Sequence, residues 1–164
     1  MREAAPMGSV VRAVVQGAAA GAVATVPMSG VMLAAQRLGV MGTQPPERVT
    51  EEALGRAGAD DTSEETQNLT ASVAHVAFGA AGGATFALLR RRFVPPVPGA
   101  AQGVLFGLGV WALSYKGWMP ALGILPPAEH DRPGRQRTMI AAHLLYGGVL
   151  GAVESRLAGP AATG

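Results

Sequence analysis

The chain reads as an all-α integral membrane protein, a four-helix bundle built from two parallel helical-hairpin repeats. Three observations predict it. Four long stretches carry no charged side chain, a set of rarer residues occurs twice in the same order, and each stretch holds two glycines four residues apart.

No Asp, Glu, Lys or Arg occurs in residues 13–36, 66–89, 93–115 or 138–153, runs of 24, 24, 23 and 16 residues. About 20 predominantly apolar residues cross a bilayer as a helix. Three runs reach that length. The fourth is short, but Glu154 and Arg156 lie at its end, where an arginine can reach back to the interface. Composition points the same way: 49% of the 164 residues are apolar, yet 23 are Gly. In water a helical Gly costs about 1 kcal/mol relative to Ala. Membrane helices use small residues for close backbone approach. The rival is a soluble Ala/Gly-rich bundle. With no cysteine, disulfides, thiolate nucleophiles and cysteine metal sites are excluded. A formal charge of +2 with scattered arginines gives no nucleic-acid footprint. Arg2 and Arg12 ahead of an apolar run also fit a cleaved signal peptide. That run is longer than a usual signal core and has a counterpart later in the chain, so a retained helix is expected.

The first membrane helix is expected over about residues 10–38. Pro27 inside it frees the carbonyl four residues back and predicts a kink. Residues 39–68 form a polar connection, in which Pro46 followed by ERVTEEAL can start a short surface helix. Asp61 with Glu64 three residues on resembles a capping box for the second helix, which stops at Arg90, Arg91 and Arg92. FVPPVP is a tight linker. The third helix is expected from about Gly99 to Lys116. A second polar connection, GWMPALGILPPAEHDRPGRQR, leads to a fourth helix over about residues 138–157, and AGPAATG reads as a frayed tail. The whole is one membrane domain, with repeat 1 over about 10–92 and repeat 2 over about 97–158.

The duplication rests on Gln16-Gly17 with Gly21, matched by Gln102-Gly103 with Gly107. LGVMGTQPPE in the first connection pairs with LGILPPAE in the second. AHVAFGAAGGA, which holds His75, pairs with AHLLYGGVLGA, which holds His143. Two helices per repeat give both halves the same orientation. The four G-x-x-x-G pairs are Gly17/Gly21, Gly79/Gly83, Gly103/Gly107 and Gly147/Gly151. Each puts both glycines on one face, forming a groove for a neighbouring helix.

Steps of four residues rotate by only about 40° around a helix, so His75 and His143 continue the glycine grooves and face other helices. Intramembrane ionisable residues are functional candidates. The bland reading is interhelical hydrogen bonding, with Thr25, Ser29, Ser114 or Tyr115 as partners. The sharper ones are a proton or ion path lined by both histidines, or haem or metal ligation through them. Haem requires the second and fourth helices to stand about 10 Å apart, an ordinary helix spacing. Close glycine packing between those two helices would conflict with haem; glycine packing of helix one on two and three on four would allow it. No resident cofactor is otherwise expected. Gln16 and Gln102 read as interhelical glue, and Glu154 as a helix-end carboxylate paired with Arg156 or a neighbour. Trp111, Tyr115 and Trp118 read as interface anchors, Lys116 as snorkelling, and His130 as solvated. Glu129, His130 and Asp131 form a weak surface metal set. No phosphate loop, nucleophile elbow, HExxH or dinucleotide fingerprint occurs, so no enzymatic activity is expected.

The termini, Arg90–Arg92 and the tail hold six arginines against seven Lys/Arg in the two connections. The density of the triple arginine favours cytoplasmic termini. Finally, GAAAGAVATVPM, RLGVMGTQPPERVTEEAL and GVWALSYKGWMPALGILPP followed by AAHLLYGGVLGA resemble small multi-pass bacterial membrane proteins, distantly the YagU-like inner-membrane proteins. The resemblance implies a bacterial inner membrane and transfers no functional residue. The expected function is a structural or accessory subunit in the bilayer, with a homo-oligomer or membrane-protein partner. The alternatives are a small transporter or channel and a haem- or metal-binding subunit.

Overall fold

Long charge-free runs of Ala, Gly, Val and Leu produce long helices. In the computed structural model, residues 7–59, 61–93 and 97–159 are described, and every regular element among them is helical. Helix α1 (Met7–Arg37) continues through Pro27 for 31 residues. Helix α2 (Pro45–Arg56) starts at a proline pair, and its first turn is held by the Gln44 N–H donating to the Glu47 carboxylate at 3.0 Å. Helix α3 (Glu64–Arg92) is capped by Ser63, whose hydroxyl accepts from the Thr66 N–H at 3.4 Å. This corrects the expected Asp61/Glu64 box. Ser63 is the residue immediately before the helix, where a side-chain oxygen meets the orphan amides.

Helix α4 (Gly99–Leu113) was expected to continue to Lys116. It gives way instead to a π-helical turn over Ser114–Trp118, followed by α5 (Met119–Ala121). Pro120 has no N–H for the carbonyl of Lys116, so the α-ladder cannot pass through it, and the turn before it widens. Helix α6 (Pro133–Ala158) begins with proline in its first turn, earlier than the charge pattern suggests, and takes Arg135 and Arg137 into the helix. The central part of the FVPPVP linker (94–96) and most of the tail (160–164) lie outside the described residues.

Two glycine seams set the packing. Gly17 and Gly21 of α1 lie against Gly79 and Gly83 of α3; Gly103 and Gly107 of α4 lie against Gly147 and Gly151 of α6. Backbone meets backbone at these seams. A Cβ on Gly83 would stand 2.8 Å from the Gly21 Cα, and one on Gly103 would stand 2.8 Å from the Gly151 N. The α1/α3 and α4/α6 pairs are joined through α1 and α6, where Ala24, Met28 and Met32 share a core with Met139, Ala142 and Tyr146. Helices α3 and α4 barely touch. The Phe86 and Phe106 rings, 5.3 Å apart, hold them together near one end.

Helices α1 and α3 are long and apolar enough to cross a membrane. The core helix of a soluble protein passes the same length test but is mostly buried. Here only 33% of the apolar window of α1 and 22% of that of α3 is covered by the rest of the chain. Val11, Val15, Val23 and Val26 on α1, and Leu69, Val73 and Val76 on α3, are exposed.

Candidate functional site

The scant contact between α3 and α4 leaves a cleft of about 470 Å³. Its floor is α1 and α6, contributing Met28, Met32, Met139 and Tyr146; its sides are α3 and α4, contributing Phe78, Phe106 and Val110. At the end away from the chain termini, Pro45, Pro46, Val49 and Thr50 of α2 lie across it, with Trp118 and Met119 beside them. The α2 residues recur at helical spacing on one face, while Arg48, Glu51 and Arg56 are exposed on the other. Ala74, Phe78 and Ala81 of α3 line the cleft and are also exposed, so its mouth opens sideways along α3.

Both His75 and His143 line this cleft. Their helices place them alike, but their Nδ1 atoms do different things. His75 Nδ1 lies 3.2 Å from the Ser29 hydroxyl of α1. His143 Nδ1 lies 2.8 Å from the Met139 carbonyl of its own helix. Among the described residues neither Nε2 has a hydrogen-bond partner, and His143 is only 4% exposed. Of the four partners expected from sequence, Ser29 alone bonds a histidine. Thr25 and Ser114 turn back to the carbonyls of Gly21 and Val110. The Tyr115 hydroxyl donates to Asp131.

The other singled-out residues sit at the two ends. Gln16 Nε2 donates to the Leu157 carbonyl at 2.9 Å and ties α1 to α6, whereas Gln102 Nε2 donates to Val97 just ahead of its own helix. Glu154 pairs with Arg90, whose side chain reaches it from the end of α3, rather than with Arg156. At the opposite end Asp131 is buried, bonded by Tyr115 and by Arg135 at 2.7 Å. Its carboxylate is thus engaged internally, which removes it from the suggested surface set with Glu129 and His130. Tyr115 is 1% exposed and stacks on Trp111 at 6.0 Å, so it is a core residue rather than an interface anchor. Among the described residues no three His, Cys, Asp or Glu come together as a metal site.

Two contributions were missed in the sequence. The Tyr146 hydroxyl donates to the Gly79 carbonyl at 2.7 Å, crossing from α6 to α3 one turn from each histidine. The pairing of Asp131 with Arg135 was signalled by their i, i+4 spacing.

The class these features define is an all-helical protein with two helices able to span a membrane and an apolar cleft beside them. The chain belongs to the family of unknown function DUF6789, whose model matches residues 11–163. No curated protein and no solved structure matches it.

Proposed function

We propose that this chain is a four-pass, non-catalytic integral membrane protein of the bacterial inner membrane, a structural or accessory subunit with both termini in the cytoplasm. In this reading α1, α3, α4 with its π-helical extension, and α6 are the four spans, two parallel hairpins each closed by its own glycine seam. The observation that carries it is the uncovered apolar surface of α1 and α3: water would penalise that surface, and lipid would not. Paired charges at the helix ends, Arg90 with Glu154 and Arg135 with Asp131, suit helices that end at an interface. An ion path gains no support from a cleft walled by Met, Phe and Val. The seams do leave α3 and α6 unpacked against each other, as a bis-histidine haem would require, but the Tyr146 hydroxyl bridges the two helices one turn from the histidines.

The absence of cysteine makes the test direct. Single cysteines at Gly8, Ala57, Ala121 and Ala158, all exposed, are labelled with an impermeant maleimide in intact cells. Ala57→Cys and Ala121→Cys are expected to react from outside. Gly8→Cys and Ala158→Cys should react only after permeabilisation. Release of the protein from membranes by alkaline carbonate, or labelling of Ala57 and Ala121 on opposite sides, would refute the four-pass reading.

A further inference from the structure

We propose that the cleft between α3 and α4 binds a hydroxyl-bearing lipophile, an alcohol or phenol on an apolar body, whose hydroxyl is held between His75 and His143. Lateral entry from lipid rests on the membrane reading above; the site itself does not.

The size and lining suit such a ligand. A cleft of about 470 Å³ lies within the range of small-molecule sites, and its walls are largely carbon with a few converging polar atoms. Those polar atoms have a defined sense. The partner of His143 Nδ1 is a carbonyl oxygen, which can only accept, so Nδ1 carries the proton. In the uncharged ring Nε2 is then an acceptor.

At His75 the partner is a hydroxyl, which can act either way. Ser29 makes no other hydrogen bond among the described residues, unlike Ser72, Ser114 and Ser155, which donate to the carbonyl four residues back. If the Ser29 hydroxyl accepted from Nδ1, its own proton would be left without a partner. Donating to Nδ1 satisfies it. The His75 Nε2 then carries the proton and is a donor. One cleft therefore presents one donor and one acceptor, both unused among the described residues. A hydroxyl is the smallest group that answers both, accepting from His75 and donating to His143. An ether or ester can answer only the first. A carboxylate would oppose the His143 lone pair.

The test uses the full chain in detergent with Trp111→Phe as background, leaving Trp118 at the cleft as the only tryptophan. The probes are 10,11-dibromoundecan-1-ol, whose bromines quench tryptophan, and its methyl ether. Saturable quenching is expected with both, at a half-saturation about tenfold lower for the alcohol, since the ether loses one hydrogen bond and leaves a buried acceptor unpaired. His143→Phe should abolish the preference while retaining ether binding, which doubles as the check on folding. Ser29→Ala, which leaves both rings in place, should reduce the preference by releasing the His75 tautomer. Ala74→Phe at the mouth should weaken both probes. Equal half-saturation for alcohol and ether would overturn the hydroxyl assignment. Quenching that rises without saturation would overturn the site, while maleimide topology stands or falls separately.

Discussion

The two cleft histidines occupy matching positions, but their surroundings make them different chemical groups. By the same offset that relates Gly17 to Gly103, Ser29 corresponds to Tyr115. Ser29 is short enough to meet His75, whereas Tyr115 reaches past the helix end to Asp131. His143 is left with a carbonyl of its own helix. The Asp131 cluster has consequences of its own. Asp131→Asn would leave the Arg135 guanidinium buried without a counter-charge, and breaking a buried pair costs about 3–5 kcal/mol. Tyr115→Phe removes one donor to the carboxylate and costs about 1.5–3 kcal/mol, because the Arg135 bond to Asp131 remains. Thermal unfolding in detergent should rank the two in that order; a larger loss for Tyr115→Phe would place the anchor in the hydroxyl instead. The histidines were legible as candidates because rare residues stood in a repeated apolar frame. Their partners were not. Whether Thr25, Ser29, Ser114 or Tyr115 meets a ring depends on rotamers and on competition from carbonyls one turn back, which spacing does not encode.

At the scale of the element, the glycine seams decide which helices pair. Gly83 leaves no room for a methyl group against Gly21, and the obstruction is backbone that cannot swing aside. Gly83→Ala should therefore destabilise by about 1–3 kcal/mol, the usual range for overpacking. Gly30 has nothing within reach of a Cβ, so Gly30→Ala should not lower stability, as Ala is the better helix former. Melting curves of the two variants check the contrast. The helices themselves were readable from charge-free runs, with ends displaced where chemistry other than charge governs. Helix α6 extends back to Pro133 because arginines are good helix formers and proline suits a first turn. The π-helical turn of α4 was not legible, although Pro120 marked a place where an α-ladder must change. Helix α2 was foreseen as a surface helix; that its apolar face closes one end of the cleft depends on how the connection folds back.

For the whole molecule, the long helices pair within each half: α3 packs on α1, and α6 on α4. The halves meet through α1 and α6 and through the Arg90–Glu154 pair. Co-expressed fragments divided within 94–96 should therefore co-purify through that shared core. Recovery of each fragment alone would mean that the linker, not the core, holds the halves together. The spaced glycines marked the faces that pack, but not which helices pair or how the pairs join. Nothing in a periodic Ala/Gly pattern states that α1 and α6 touch while α3 and α4 stand apart, and the cleft exists only because of that difference.

Local pairing also orders the events of biosynthesis. Helix α1 can meet its glycine partner as soon as α3 leaves the ribosome, before α6 has emerged. Only the joint between the halves must wait. Leu157, which receives Gln16, and Glu154, which receives Arg90, emerge only after α1, α3 and α4. Until they arrive, the face of α1 that α6 will cover stands open.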